Sequence, residues 1–363
     1  MESVWLDPDG ARGAYIFAGD IGGTHTSFAL VREDCGAQDS TPRIAAKFLF
    51  KTPDICSINA AAGQAREEAA RGLPRARITK ACLSAAGIVK DNACSLTNVP
   101  WAVSGDEIQK TLGVPVKIIN DFTALSYALP LLDPDNPREV TPLAPPGGTP
   151  ARPSGKVRAV LGAGTGLGVG CLVETDSGFT ALASEGGHTD FAAVDEQTRG
   201  LCDWVTKRIG GIPETELFVS GQGLINMFLF FHEKALAAGS LSAAFNEIAQ
   251  APDAEKPALI ARAADGDPGC GSIMRLFVRM YARAASNIAV TFLPTAGLYL
   301  AGGIAGKNEL WFLSDDAFMK NFLAACKPKI RDMLKTIPVY IIKDYSVSLL
   351  GAANAARCLI KDV

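Results

Sequence analysis

The chain has 363 residues, more than a single hydrophobic core usually serves, so two domains of ordinary size are expected. Charged residues make up 20% and the formal net charge is -3, which leaves no basic excess to neutralise a phosphate backbone and argues against nucleic acid as a partner. The longest uncharged run, 284–306, contains Pro294, Gly297, Gly302 and Gly303, so it reads as a helix end and a strand, with no membrane expected.

Met1 to Gly13 lacks a basic segment followed by an apolar one, so no secretory signal is expected. The nine cysteines stand far apart, without a Cys-x-x-Cys pair, against both a disulfide framework and a zinc site. A reducing cytoplasm is the expected location.

Ala14 to Asp20 reads as a strand ending in an acid, and Gly22-Gly23-Thr24 turns the chain into a second strand from Ser27 to Val31. Such a tip brings backbone N–H groups close to an anion because glycine has no Cβ to keep a ligand away, though an ordinary hairpin turn explains it too. Asp20 is suited to a magnesium ion through water, since that ion gives up its hydration shell reluctantly. Ala45 to Lys51 predicts a third strand, Ile58 to Gly72 a helix and Ile78 to Ser84 another strand. Asn98 falls in the loop that follows, as a turn residue or a ligand contact. Gly105 to Leu112 predicts a helix that returns the chain to a buried strand, Val114 to Ile119, and a helix then runs from Phe122 to Leu129.

Asn120-Asp121 thus stands at a strand-to-helix turn, where open α/β sheets bind ligands beyond the carboxyl ends of their strands. Asp121 there can act as a base or simply cap the helix. The Pro-rich stretch from Asp133 to Ser154 predicts a long surface connection, dividing a small α/β domain (1–133) from a larger one (134–346) with a helical insertion. The last helix, about 347–363, is expected to pack back on the first domain.

Val157 to Leu161 is a strand leading into Gly162-Ala163-Gly164-Thr165-Gly166-Leu167-Gly168 and a further apolar strand. A dinucleotide fingerprint counted from Gly162 meets Leu167 where its last glycine belongs, and a P-loop fails because Gly155-Lys156 is followed by Val157. Two strand-glycine-threonine-strand hairpins instead suggest a duplicated fold with one phosphate loop per half, facing each other across a cleft. In Glu185-Gly186-Gly187-His188 the glycines let two polar side chains converge from a tight turn, an arrangement suited to sugar hydroxyls or to a satisfied polar turn. Helices are expected from Ala193 through Leu293, ending near Pro294, with Glu216 read as a solvated helix-entry charge and His25 and His232 as loop and helix-surface residues. Gly297 to Ala301 is a strand into Gly302-Gly303, Ile337 to Ile342 the last strand and Val347 to Ile360 the last helix.

From Ile16 to Leu359 these pieces resemble the glucokinases of the bacterial hexokinase type, within the sugar kinase and actin-like ATPase superfamily. The likeness rests on Gly-Asp-Ile-Gly-Gly-Thr at 19–24, Ile-Asn-Asp-Phe-Thr-Ala at 119–124, Gly-Ala-Gly-Thr-Gly-Leu-Gly at 162–168, Glu-Gly-Gly-His at 185–188, Val-Ser-Gly-Gln-Gly-Leu at 219–224 and Ala-Gly-Gly at 301–303. Family members often carry Asn where this chain has His25, and Pro where it has Gln222. The cysteine-rich zinc motif of the related ROK group has no counterpart after His188.

The resemblance implies an α/β, two-domain actin-like (ribonuclease H-like) fold with a duplicated mixed sheet and an active-site cleft between the domains. It implies ATP-dependent phosphorylation of glucose with Mg²⁺, with Asp121 as catalytic base and Asn98, Asn120, Asp121, Glu185, His188 and Glu216 on the sugar. Asp20, Gly22, Gly23, Thr24, Gly162, Gly164, Thr165 and Gly166 are then the phosphate loops, with Gly302 and Gly303 beside the adenosine. A homodimer is implied by the same likeness. The alternatives are a kinase for another hexose or an amino sugar, and a sugar-sensing protein without turnover, the latter disfavoured because no DNA-binding extension precedes Ala14.

Overall fold

The computed structural model describes residues 1–7, 13–33, 42–96, 99–344 and 346–361. They fall into two compact units, one made of 1–133, 172–182 and 344–363, the other of 134–171 and 183–343. Asn98 lies outside the described residues.

The first unit begins with β1 (Glu2–Trp5), β2 (Gly13–Ile21), β3 (His25–Arg32), β4 (Arg43–Lys51), α1 (Ile58–Gly72) and β5 (Ala76–Ala85). After the small sheet of β6 (Val89–Lys90), β7 (Ala93–Ser95) and β8 (Ala102–Ser104) come α2 (Gly105–Leu112), β9 (Val116–Asn120) and α3 (Asp121–Ala128). The main sheet runs β1-β4-β3-β2-β5-β9, with β2, β5 and β9 parallel. Along β2 successive residues face opposite sides, and both sides are buried. Tyr15, Phe17 and Ile21 pack with the apolar face of α1 and α2, and Ile16 and Ala18 with Ala124 and Tyr127 of α3.

The second stretch contributes β10 (Val140–Leu143), β11 (Val157–Ala163), β12 (Leu167–Thr175) and β13 (Gly178–Leu182). Helices α4 (Glu196–Ile209), α5 (Gly221–Ala237), α6 (Ala243–Gln250), α7 (Lys256–Ala263) and α8 (Pro268–Phe292) follow, then β14 (Leu298–Ala301), the short α9 (Gly303–Lys307), α10 (Glu309–Leu313) and α11 (Ala317–Phe322), α12 (Pro328–Lys335) and β15 (Val339–Ile342). The chain closes with α13 (Val347–Leu359), which packs in the first unit.

The second sheet runs β10-β15-β14-β11-β12-β13, with β11, β14 and β15 parallel. Its wiring repeats the first: β4-β3-β2-β5-β9 and β13-β12-β11-β14-β15 are the same strand order, each extended by one antiparallel edge strand, β1 or β10. Helix α8 starts where the Asp267 side chain accepts the Cys270 N–H and stops at Leu293, whose φ of 49° is left-handed, just ahead of Pro294. Between those ends it buries Ile273, Met274, Phe277 and Tyr281 in the larger core.

Two expectations need correcting. The Pro-rich stretch after Asp133 is not structureless: Val140–Leu143 pairs with β15, and Pro142 is tolerated because β10 is an edge strand whose missing N–H breaks no inner ladder. His232 is not a free surface residue of its helix, since its ring packs 5.6 Å from Phe228 and stacks 6.4 Å from Phe245.

Candidate active site

In the first unit the parallel register aligns the polar residues at one end of the sheet. Asp20 sits opposite Ser84 across β2 and β5, and Ala85 opposite Asn120 across β5 and β9. Asp20 lies one residue before the end of β2, slightly inside the strand. Its Oδ1 accepts the Ser84 hydroxyl at 3.0 Å and its Oδ2 the Ser348 hydroxyl of α13 at 2.7 Å. The Gly22–Thr24 tip is closed by the Gly22 N–H donating to the His25 carbonyl at 3.0 Å and by the Thr52 hydroxyl donating to the Gly22 carbonyl at 2.8 Å. Thr24 itself is exposed.

Asp121 is not the helix cap. Asn120 takes that role, its Oδ1 accepting the N–H groups of Phe122 at 2.9 Å and Thr123 at 3.3 Å, while its Nδ2 donates to the Gly87 carbonyl at 3.1 Å. With the cap supplied by its neighbour, Asp121 occupies the first helical position, where its Oδ1 accepts the Phe122 N–H at 3.0 Å. Burial pushes its pKa up to about 6; the Phe122 N–H pulls the other way, and the negative charge of Asp20 adds to the rise. A carboxylate poised in that range is ionised at neutral pH and still basic enough to take a proton.

In the second unit the glycine loop leaves β11 at Ala163. The buried Tyr281 of α8 fixes that exit: its hydroxyl donates to the Leu161 carbonyl at 2.8 Å and receives the Ala163 N–H at 3.2 Å. The loop is closed by Gly164 N–H to the Gly166 carbonyl at 2.9 Å and tied to the start of α5 by Gly221 N–H to the Gly164 carbonyl at 2.8 Å. Glu216 is not a solvated helix-entry charge. Its Oε2 accepts the Leu167 N–H at 2.8 Å, which holds a carboxylate over the loop, and the Ser220 hydroxyl donates to its carbonyl at 2.6 Å.

Glu185 and His188 flank a single helical turn, Gly186–His188, and both are exposed. His188 Nδ1 lies 2.7 Å from Glu214 Oε2, and Nε2 lies 4.0 Å from Glu185 Oε2. The hydrogen bond that His188 donates to Glu214 is the main reason the imidazole pKa stands above its ordinary value, with the charges of Glu216 and Glu185 adding to it. Sequence reasoning missed Glu214, whose relation to His188 comes from the bridge between Asp190 and Glu214 and the Thr215 N–H donating to the Thr189 carbonyl at 2.8 Å.

Gly302 and Gly303 turn β14 into α9. Beyond them Asp265, Lys307, Asn308, Glu309, Trp311 and Ser314 line a cavity of about 540 Å³. Among the described residues no cluster of three or more His, Cys, Asp or Glu side chains is arranged to hold a metal ion. No helix there is long and apolar enough to cross a membrane.

A glucokinase family model matches residues 17–359. The glucokinase of Synechocystis sp. is 34% identical over 367 residues, covering 96% of this chain and 99% of its own length. That of Nostoc punctiforme is 33% identical, with 95% and 99% covered. Among solved structures, a glucokinase from an Antarctic psychrotroph matches with a TM-score of 0.78 at 26% identity, covering 94% of this chain and 98% of its own. A ROK family glucokinase from Streptomyces griseus, solved in complex with glucose and AMPPNP, shares the fold with a TM-score of 0.59 at 21% identity and coverage of 94% and 99%. The six motifs in chain order, the repeated sheet and this full-length match lead to one assignment: the chain belongs to the glucokinase family.

Proposed function

We propose that the protein transfers the γ-phosphoryl group of ATP to the 6-hydroxyl of glucose, with Asp121 as the general base. In this step the hydroxyl proton passes to the Asp121 carboxylate as the sugar oxygen bonds to the γ-phosphorus. The bond from that phosphorus to the β–γ bridging oxygen breaks, and ADP leaves. Such transition states are loose, so the protein contributes mainly alignment and charge stabilisation. The observation that carries the reading is Asp121 itself, released from capping by Asn120 and held by burial at a pKa near that of a working base.

On this reading Glu185, His188 and Glu216 grip sugar hydroxyls. Asn120, committed to its cap and to the Gly87 carbonyl, borders the ring. The two glycine loops, Gly22–Thr24 and Gly162–Gly166, receive the phosphates, and the cavity beyond Gly302-Gly303, which Trp311 helps to line, takes the nucleoside. Asp20 fits the magnesium ion that the reaction implies: it is a single carboxylate steadied by two hydroxyls, and a hydrated ion that also takes phosphate oxygens needs no larger protein cage. When bound through water to Asp20, the ion would supply neutralisation of polyphosphate charge.

A coupled assay with ATP, Mg²⁺ and a panel of hexoses and amino sugars tests the proposal. Glucose is expected to give the highest kcat/KM, and no turnover of any sugar would leave a binding protein. Asp121→Asn is expected to lower kcat by about 10²–10⁴-fold with the circular dichroism spectrum unchanged. Near-normal turnover in that variant would remove Asp121 from the chemistry.

A further inference from the structure

The Glu185–His188 turn carries more than its two named side chains. His188 Nε2 and Glu185 Oε2 are 4.0 Å apart, too far for a hydrogen bond and well spaced for one hydroxyl that accepts from the nitrogen and donates to the carboxylate. That use of His188 requires the ring to be oriented and Nε2 to carry a proton. Nothing on its own turn does this. On the other side of the ring Glu214 Oε2 stands 2.7 Å from Nδ1, and Glu214 is itself fixed by the strand-like bridge to Asp190 and by Thr215 N–H donating to the Thr189 carbonyl. The charged groups facing the imidazole are Glu214, Glu216 and Glu185, all acidic. The side chains of His188 and Glu214 are about half exposed, so the pair is open to titration.

We propose that Glu214 is a positioning residue for the sugar site: it takes the Nδ1–H of His188, sets the plane of the ring, and favours the doubly protonated imidazole whose Nε2–H donates to a sugar hydroxyl. This rests on the kinase reading for the identity of the ligand, and on the geometry alone for the pair. Two consequences follow from the chemistry. The imidazolium is stabilised by Glu214, so His188 titrates above an ordinary histidine, in keeping with the direction already described. Sugar affinity then weakens as pH rises through that midpoint, because Nε2 loses its proton while Nδ1–H stays with Glu214. Glu214 acts on binding through His188 and touches no reacting atom, so its removal shows in KM more than in kcat.

The test uses the full-length enzyme and the fact that it has only three histidines, His25, His188 and His232. Ring proton shifts followed by NMR across pH 5–9, without sugar, give each midpoint. In Glu214→Gln, which keeps an acceptor for Nδ1–H but removes the charge, the His188 midpoint is expected to fall while the other two stay. In Glu214→Ala the KM for glucose is expected to rise by about two- to tenfold, the size of one lost net hydrogen bond, with Glu214→Asp recovering part of it. In Glu214→Gln the pH at which KM begins to climb is expected to move down with the midpoint. A His188 midpoint unmoved by Glu214→Gln, or a glucose KM unchanged in Glu214→Ala, overturns the proposal. Should the unaltered enzyme fail to phosphorylate glucose, the kinase reading falls, and the NMR midpoint alone decides whether Glu214 governs His188.

Discussion

At the scale of single residues the most consequential feature is that Asn120 and Asp121 divide two tasks. Asn120 satisfies the helix, and Asp121 keeps a buried charge that nothing basic neutralises among the causes acting on it. The pH dependence of activity follows directly. In the proposed role as base Asp121 must be deprotonated, so kcat/KM is expected to fall as pH drops through about 6 and to be level above it until other groups titrate. Stability carries the opposite sign from the usual carboxylate. The folded pKa lies above the unfolded one, so ionised Asp121 burdens the folded state, not at all at pH 3 and fully above about 6. Asp121→Asn is therefore expected to be more stable than the parent by roughly 1–3 kcal/mol at pH 7.5, the gain shrinking as pH falls towards 4. Urea denaturation at the two pH values checks this, and a gain that does not depend on pH would mean that burial of the charge is not its source.

Much of this was legible at residue level, because an Asn-Asp pair closing a buried strand is a local pattern. Which of the two caps the helix was not, since either side chain reaches the free N–H groups from its position in sequence. Ser84, Ser348, Glu214 and Tyr281 had no signal at all. Ser348 is 328 positions from the Asp20 it donates to, and Tyr281 is 118 from the Ala163 whose N–H it receives. Their place at the site is a product of the fold and of no local spacing.

At the scale of elements, α1 and α2 match their expected spans, and α2 has both a side-chain cap, Ser104 accepting the Glu107 N–H, and a left-handed glycine stop at Gly113. Strand β10 escaped because four residues including a proline show no alternation to read. Two turns depend on glycine for reasons of space. Gly302 has φ 85° and ψ 155°, a conformation open in practice only to glycine, and a Cβ there would lie 2.3 Å from the Ala163 carbonyl oxygen. Gly351 of α13 meets α3 so closely that a Cβ would stand 2.0 Å from the Ala124 carbonyl oxygen, in an interface otherwise lined by Ala352, Ala355 and Ala356. Gly302→Ala is expected to cost roughly 2–4 kcal/mol from strain and overpacking together, and Gly351→Ala roughly 1–3 kcal/mol from overpacking alone. Their consequences should differ: Gly302→Ala should also raise the KM for ATP, whereas Gly351→Ala should lower the melting temperature without a comparable change in that KM. Equal effects of the two on ATP would detach Gly302 from the nucleotide.

At the scale of the molecule, the repeated strand order explains why two hairpins of similar sequence occur in one chain: each is the first pair of strands of the repeated five-strand pattern, β2–β3 and β11–β12. Each unit carries its own buried cluster, so each has the means to unfold as a separate cooperative block. A core truncation confined to one cluster tests this: Phe277→Ala in the larger core is expected to cost about 3–5 kcal/mol and, in calorimetry, to lower the transition of its own unit, whereas a single transition lowered as a whole would mean one cooperative block.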